Sequence, residues 1–251
     1  MKFTRRSKPT NYRRLLSIEA DAKTIKGNSQ GYLTGILYLA PSTLSGVINT
    51  CPKASPGCIA SCLYTAGRAA FTPSIRTARI AKTHLMVENP AAFYASLAYD
   101  IESLRRKALK RGLKPAVRIN GTSDFPKIVH ALASQFTDVQ FYDYTKLPKA
   151  WQRTLPNYDI TFSHSETNLR DCMDALNRGI NVAVVFGLKK SQPFPEFWHG
   201  YRVVSGDDTD LRFTDPKGVV IGLYQKGQAK KDCTGFVVRD LVTIEPLRKA
   251  A

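Results

Sequence analysis

Short apolar segments recur along the chain, and most are followed by a segment whose apolar positions repeat with the period of an α-helix. The segments at residues 31–41, 116–120, 139–144, 159–163, 181–186, 201–204 and 219–224 are predicted to be buried β-strands. Helices are predicted at residues 73–87, 90–111, 125–136, 148–154 and 166–177. Strands that alternate with helices in this way predict βα units and a parallel sheet.

The strand–helix repeat places the chain in the α/β class. Its six or seven units are enough for a partial or complete parallel (β/α) barrel, and a doubly wound open sheet is the alternative. Residues 31–251 are predicted to form one barrel-like domain, and residues 1–30 a polar, basic N-terminal arm with little periodicity. The absence of a Gly-x-Gly-x-x-Gly motif and of a P-loop counts against a dinucleotide or nucleoside triphosphate site.

Three of the five cysteines, Cys51, Cys58 and Cys62, lie in a turn-rich loop directly after the first predicted strand. Thiolates are soft ligands that select zinc, Cu(I) or an iron–sulfur cluster. The alternative is three ordinary core cysteines. It fits poorly, because core cysteines do not usually crowd into a loop that contains Pro52 and Pro56. We therefore expect the loop at residues 51–62 to bind a metal.

The cysteine spacing favours an iron–sulfur cluster over zinc. Structural zinc sites use paired C-x2–4-C ligands, whereas the spacing here is C-x6-C-x3-C with no second pair. A [4Fe–4S] cluster suits a few neighbouring cysteines plus a remote one. Cys233, in a polar loop after the last predicted strand, is the predicted fourth ligand, and an exogenous ligand on an open iron is the alternative. Cys172 lies among apolar helix positions and is predicted to be a core residue.

Polar residues follow the predicted strands, and in parallel α/β folds ligands bind at the carboxyl ends of the strands. The candidates for binding a cofactor or substrate are Asn120, Ser123, Asp124, Asp143, Lys146, Ser163, His164, Asp207 and Asp208. Glu166, Asp210 and Lys226 lie at the same strand ends. Each of these residues taken alone could instead cap a loop or turn. As a set they predict a polar pocket beside the cysteine loop.

The formal net charge of +17 is large for 251 residues and indicates a polyanionic partner, most simply nucleic acid. The alternative is that the charge only keeps the protein soluble. Basic residues cluster in the N-terminal arm and in a predicted helix end: Lys2, Arg5, Arg6, Lys8, Arg13 and Arg14, then Arg105, Arg106, Lys107, Lys110, Arg111 and Lys114. The second run also suits the dipole at a helix C-terminus.

A first strand, a three-cysteine loop and then βα units resemble the radical S-adenosylmethionine (radical SAM) superfamily. This resemblance implies a partial barrel, a [4Fe–4S] cluster held by Cys51, Cys58 and Cys62, and S-adenosylmethionine bound at the fourth iron. The superfamily's usual spacing is C-x3-C-x2-C, from which this chain departs. The segments GYLTGILYLAPS, NGTSD and FYDYTK are also similar to an uncharacterised family of bacteriophage proteins. That second resemblance implies no particular activity.

The expected location is the cytoplasm, of the host cell if the chain is phage-encoded. No apolar segment has the length of a membrane span, and the basic N-terminus lacks the apolar region of a signal peptide. In a reducing compartment, neighbouring cysteines act as metal ligands rather than as disulfides. The first hypothesis is a radical-SAM-like enzyme. The alternatives are a nucleic-acid-binding protein with a purely structural cluster and a zinc-stapled binding module.

Overall fold

The computed structural model describes residues 7–19, 22–153 and 155–240. Its helices are α1 (Ala22–Ser29), α2 (Pro56–Ala60), α3 (Arg68–Phe71), α4 (Pro73–Glu88), α5 (Pro90–Lys110), α6 (Pro126–Gln135) and α7 (Leu169–Asn177). Its strands are β1 (Leu16–Ile18), β2 (Tyr32–Leu37), β3 (Lys114–Arg118), β4 (Gln140–Thr145), β5 (Tyr158–Ser163), β6 (Val182–Phe186), β7 (Phe197–Trp198), β8 (Tyr201–Ser205), β9 (Val220–Tyr224) and β10 (Val237–Val238). Short 3-10 turns lie at Leu63–Thr65, Ala150–Arg153, Arg212–Thr214 and Gly227–Lys231.

The strands form one mostly parallel sheet in the order β1-β2-β3-β4-β5-β6-β9-β8-β7, and β10 pairs in addition with β6. Strands β2 to β6 are parallel neighbours in chain order. The antiparallel pairs, β1 with β2 and β7 with β8, lie at the two edges. Within the described residues no pairing joins β1 to β7. The predicted α/β class with a mostly parallel sheet is confirmed.

Helices α5, α6 and α7 cover one face of the sheet. Crossovers between parallel neighbours are right-handed, so strands added one after another in the same direction place their helices on the same side. Accordingly, α5 contacts β2 and β3, α6 contacts β4 and β5, and α7 contacts β5 and β6. The core on this side is formed by strand residues and one face of α5: Leu33, Leu37, Val117, Phe141, Phe93, Leu97, Ile101 and Leu104. Burial of each large apolar side chain contributes roughly 1.5–3 kcal/mol.

The opposite face of the sheet carries aromatic and charged side chains. Side chains alternate along a strand, so Tyr142 points away from the helix-covered side that Phe141 occupies. The ring of Phe213, in the turn between β8 and β9, packs edge-on against Tyr142 and Tyr32, with ring centroids 5.4 Å and 4.9 Å apart. The β8–β9 connection therefore lies across this face of the sheet.

Most predicted strands are confirmed to within a few residues, but two predicted helices differ. Residues 148–154 contain only the 3-10 turn Ala150–Arg153 in their described part. Helix α7 begins later than predicted, because the Asn168 side chain accepts the N–H of Ser165 at 2.7 Å and donates to the Ser163 carbonyl at 2.9 Å. These bonds hold the preceding residues in a turn. Strands β1, β7 and β10 were not predicted, since two or three residues carry no periodicity.

The predicted N-terminal arm differs from the structure in its second half. Leu15 and Leu16 are 0% and 2% exposed, β1 pairs with β2, and α1 follows. The carboxylate of Asp100 in α5 accepts the backbone N–H groups of Leu15 at 2.7 Å and Leu16 at 3.0 Å, and the hydroxyl of Tyr12 at 2.6 Å. This part of the chain therefore belongs to the domain. Lys2, Arg5 and Arg6 of the predicted arm lie outside the described residues.

We expect Asp100→Asn to lower the free energy of unfolding by about 1–3 kcal/mol. The reason is that an amide offers one acceptor oxygen where the buried carboxylate serves three donors. Urea unfolding followed by circular dichroism measures the loss. Glu88→Gln is the control, because Glu88 is an exposed partner of His84 and its replacement should leave stability nearly unchanged. Equal stability of the Asp100→Asn variant and the parent would contradict this account of the N-terminal segment.

Candidate functional site

A cavity of about 450 Å³ lies at the carboxyl ends of the parallel strands, beside the cysteine loop. Cys51, Cys58 and Cys62 all line it. Six of the nine predicted strand-end residues line the same cavity: Asn120, Ser123, Asp124, Lys146, Ser163 and His164. The fold brings these distant segments together because the carboxyl ends of parallel strands lie along one edge of the sheet.

The other three predicted residues do not line the cavity. Asp143 is 1% exposed, and its carboxylate accepts the backbone N–H of Asn120 at 2.7 Å and the side-chain amide at 3.3 Å. Along β4 it shares the helix-covered side with Phe141, so it can only hold a cavity residue in place. Asp207 forms an ion pair with Lys226 at 2.6 Å, and Lys226 lines the cavity. Asp208 is exposed to solvent.

Sequence analysis missed Arg118, Tyr38 and Tyr144, which also line the cavity. The Arg118 guanidinium lies 4.5 Å from the centroid of the Tyr144 ring, and its Nη1 donates to the Asp210 carboxylate at 3.2 Å. The alternation of side chains along a strand is the signal that could have revealed Arg118. Arg118 lies on the opposite side of β3 from the core residue Val117, and a charged residue within a buried strand indicates a polar interior.

The first half of the cysteine loop is fixed by Thr50, immediately before Cys51. The Thr50 hydroxyl donates to the carbonyl oxygen of Ala40 at 2.6 Å. The Thr50 carbonyl accepts the N–H of Asp124 at 2.8 Å, and the Cys51 sulfur lies 3.6 Å from the carbonyl oxygen of Thr122. These contacts join the cysteine loop to the segment that directly follows β2 and to the β3–α6 connection.

The second half of the loop is bound to the β5–α7 connection by Glu166. Its carboxylate accepts the hydroxyl of Ser55 at 2.6 Å and the backbone N–H of Gly57 at 2.7 Å. Ser55 also caps α2, since its hydroxyl oxygen accepts the N–H of Cys58 at 3.3 Å. Hydrogen bonds to a charged acceptor are about twice as strong as neutral ones. Glu166 therefore fixes the position of the helical turn that carries Cys58.

Gly57 is packed too closely to carry a side chain. A Cβ atom at this position would overlap the Thr234 hydroxyl oxygen and would lie 2.8 Å from the Cβ of Phe236. Nearby, the N–H of Gln228 donates to the hydroxyl oxygen of Thr65 at 3.3 Å. The segment that follows β9 therefore packs against the cysteine loop, and its Phe236 also lines the cavity.

The three loop cysteines are free thiols. Burial is the main cause that raises the pKa of Cys62 to about 11, and the nearby Cys58 and Cys51 contribute to the rise. Burial also raises the pKa of Cys51. A metal that binds such thiols must displace their protons. Within the part of the chain that the structure describes, no group of three or more His, Cys, Asp or Glu side chains is gathered as it would be around a single metal ion.

The two remaining cysteines have different environments. Cys172, on α7, is 0% exposed and lies in the hydrophobic core, as predicted. Cys233 is exposed in the loop between the turn Gly227–Lys231 and β10, and it is not among the residues that line the cavity. The role of Cys233 as a fourth ligand stays a prediction.

His164 and Lys146 line the cavity from the ends of β5 and β4. The His164 ring is 8% exposed and packs edge-on against Trp198, with centroids 5.3 Å apart. Its Nδ1 has no hydrogen-bond partner among the described residues. Burial and the nearby Lys146 ammonium lower the pKa of His164 to about 4, so the ring is neutral at pH 7. The Lys146 ammonium lies 5.6 Å from the centroid of the Phe236 ring.

The nucleic-acid partner suggested by the net charge stays a prediction. Several cations of the second basic run have acidic partners within the protein. These ion pairs are Arg105 with Glu102 and Asp138, and Lys107 and Arg111 with Glu19. Part of the charge at the end of α5 is therefore balanced internally rather than left for a phosphate backbone.

The fold and the site define an α/β protein with a cysteine-lined cavity at its strand ends. A family model described as Gene product 88 matches residues 10–239. The match covers most of the chain, so the chain belongs to the Gene product 88 family, a family of phage proteins. The similarity to a bacteriophage family noted from the sequence is thereby confirmed. Searches of curated proteins and of solved structures found no match. None of the described helices is long and apolar enough to cross a membrane.

We expect Glu166→Gln to loosen the cysteine loop, because a neutral amide replaces a carboxylate that accepts two hydrogen bonds. A loss of about 1.4 kcal/mol raises the open fraction of the loop about tenfold. The rate at which a thiol reagent labels Cys58 in metal-free protein, followed by peptide mass spectrometry, measures that fraction. Glu196→Gln, at an exposed position, is the control. Equal labelling rates in the two variants would show that Glu166 does not hold the loop.

Asp143 makes the stability of the fold depend on pH. Burial raises the pKa of Asp143 from 3.8 to about 8. Between these two values the folded state binds a proton that the unfolded state lacks, so the free energy of unfolding falls as the pH rises from about 4 to about 8. Asp143→Asn removes this proton uptake, and we expect the decline to flatten.

Urea unfolding at intervals from about pH 5 to about pH 9 tests the Asp143 prediction. The slope of the unfolding free energy against pH is the quantity compared, because the amide also changes the bonds to Asn120 at every pH. Asp208→Asn, at an exposed position, should keep the slope of the parent. A slope in Asp143→Asn as steep as in the parent would contradict the assignment.

Proposed function

We propose that this chain is a [4Fe–4S] enzyme of the radical-SAM-like kind, in which Cys51, Cys58 and Cys62 hold the cluster beside a substrate cavity. One observation carries the proposal. The three clustered cysteines line the same cavity as the polar carboxyl ends of the parallel strands. Thiolates are the ligands that iron–sulfur clusters use, and the strand ends are where parallel α/β folds bind substrates.

The strand arrangement supports a partial (β/α) barrel. Strands β2 to β6 follow one another in chain order, whereas a doubly wound sheet reverses its order at a switch point. Helices α5, α6 and α7 contact successive strands. The cavity is lined by side chains such as Ile36, Arg118 and Tyr144, and Arg118 and Tyr144 alternate with the helix-facing core residues. We therefore assign the cavity to the mouth of a partial barrel.

The cysteine spacing ranks a cluster ahead of a single zinc ion. A structural zinc site uses four ligands, usually from two C-x2–4-C pairs, whereas Cys51, Cys58 and Cys62 contain only one such pair. A [4Fe–4S] cluster accepts a few neighbouring cysteines. The zinc-stapled module is therefore the second candidate, and metal analysis distinguishes the two.

A cluster held by Cys51, Cys58 and Cys62 would supply an electron to S-adenosylmethionine, which is the chemistry that the radical SAM resemblance implies. The chain's own residues provide the setting for it. Glu166 and Thr50 hold the two halves of the cysteine loop. Asp143 fixes Asn120 at the cavity wall, and Lys146 and His164 are the groups placed to contact a substrate.

The position of Cys233 favours the open-iron alternative over the predicted fourth ligand. Its side chain is exposed, whereas the other three cysteines of the prediction line the cavity. We therefore propose that Cys51, Cys58 and Cys62 suffice to hold the cluster. The fourth iron is then left to a small molecule, as catalysis requires.

Protein purified without oxygen should be brown and should contain iron and acid-labile sulfide in about equal amounts. Replacement of Cys51, Cys58 or Cys62 by Ser should remove most of both and lower stability, because metal binding is coupled to folding. Colorimetric iron and sulfide analysis together with the absorption spectrum measures the loss. Cys172→Ala is the control and should keep the cluster at a modest packing cost. Stoichiometric zinc without sulfide would overturn the cluster and support the zinc module.

The same measurements on a Cys233→Ser variant test whether the fourth iron is bound by Cys233 or left open. Cys233→Ser should keep the full iron content, and S-adenosylmethionine should shift the electron paramagnetic resonance spectrum of the reduced cluster. Loss of the cluster in Cys233→Ser would show that Cys233 is a ligand. That result, with a spectrum unchanged by S-adenosylmethionine, would support a structural or electron-carrying cluster instead of an enzyme.

A further inference from the structure

The charged side chains that line the cavity are not all joined in ion pairs. Arg118 pairs with Asp210, and Lys226 pairs with Asp207. The Lys146 ammonium has no carboxylate within ion-pair distance among the described residues. The ammonium therefore lies on the cavity wall at the end of β4 without a direct ion pair in the described structure, although the Asp124 carboxylate is close enough to interact with it electrostatically.

Asp124 is the carboxylate next to Lys146 along the cavity wall, and both of its oxygens are already engaged. One accepts the Thr145 hydroxyl at 2.7 Å, and the other accepts the backbone N–H of Lys146 at 2.8 Å. These bonds hold the backbone at the end of β4 rather than the ammonium group. The ammonium instead lies over the ring of Phe236, where a ligand in the cavity can reach it.

His164 provides a second polar group without a partner. Its ring is 8% exposed, and Nδ1 makes no hydrogen bond within the described residues. A buried polar atom left without a partner costs about 1–3 kcal/mol, so its presence calls for an explanation. Thr145 of β4 pairs with Phe162 of β5, so Lys146 and His164 follow the ends of adjacent strands. Both line the cavity, and they bring two polar groups to the same side of it.

The rest of the lining is largely apolar. Ile36, Leu63, Val185, Leu223 and Phe236 contribute to it. Ligand pockets of about 300–1,000 Å³ commonly combine such a lining with a few polar groups that fix the orientation of the ligand. The chemistry that matches this cavity is an apolar body that carries one oxyanion.

We propose that the cavity binds a small organic anion, with its carboxylate or phosphate group held by the Lys146 ammonium and the His164 ring. The apolar part of the anion fills the remaining space. Lysine supplies three N–H donors and a neutral histidine supplies one, and both can point at anionic oxygens. This inference rests on the proposed function, because it takes the anion to be the substrate of the proposed enzyme.

Trp198 provides a direct reporter, because its indole contacts the His164 ring. The chain has two tryptophans, so Trp151→Phe leaves Trp198 as the only tryptophan, which is excited selectively over tyrosine at the red edge of its absorption. In this background we would titrate phenyl phosphate, benzoate and the neutral benzyl alcohol, and fit the change in fluorescence to a dissociation constant. The phosphate and carboxylate probes identify which oxyanion the subsite prefers.

At least one of the two anions should bind saturably and more tightly than benzyl alcohol. Lys146→Gln should raise the dissociation constant of that anion about tenfold or more, as expected for the loss of a charged hydrogen-bond donor. Lys146→Arg keeps the charge and should retain most of the affinity, which excludes misfolding as the cause. Lys127→Gln, at an exposed position on α6, is the control and should leave binding unchanged.

Equal binding of the anions and benzyl alcohol, or unchanged anion binding in Lys146→Gln, would overturn the anion subsite. Iron and sulfide measured on the same protein keep the two proposals separate. Lysine-dependent anion binding in protein that forms no cluster would support the subsite and overturn the proposed enzyme. A complete cluster without anion binding would overturn the subsite alone.

Discussion

The carboxylate of Glu166 is the contact on which the rest of the site depends. It accepts two hydrogen bonds from the cysteine loop, from Ser55 and Gly57, and so joins segments far apart in the chain. Without it, α2 is a single helical turn at the surface, too short to be stable by itself. With it, the loop is built into the edge of the sheet before any ligand is present. Most of the conformational entropy that the loop would lose on binding a metal is then already lost when the chain folds.

The parallel sheet explains why so many polar residues meet at this edge. Each strand delivers its last residues to the same end, and each following connection begins there. Arg118 and Asp210 illustrate the result, because they lie far apart in the sequence yet pair at 3.2 Å beside the cavity. Such buried pairs are costly to leave incomplete. They fix the shape of the cavity floor, while the Lys146 ammonium has no ion pair and His164 Nδ1 no hydrogen bond within the described part of the chain.

The sequence predicts the fold well wherever local pattern decides the outcome. The unbroken apolar run of β6, Val182–Phe186, marks a strand buried on both faces, and Cys172 falls on the apolar side of α7. It predicts poorly what depends on partners distant in the chain. Strand β10 exists only because β6 offers an open edge beyond the end of β5. The sequence predicts Asp143 as a cavity residue because it stands near a strand end, but its alternation with the neighbouring residues puts it on the side of β4 that Phe141 shares with the helices.

The close packing of Gly57 against Thr234 and Phe236 has a consequence for biosynthesis. A ribosome releases the cysteine loop long before it releases the segment that packs against the loop. During most of translation the three thiols therefore lack this packing and are open to oxidation. Only when the residues around β10 have emerged can the loop settle into its final position.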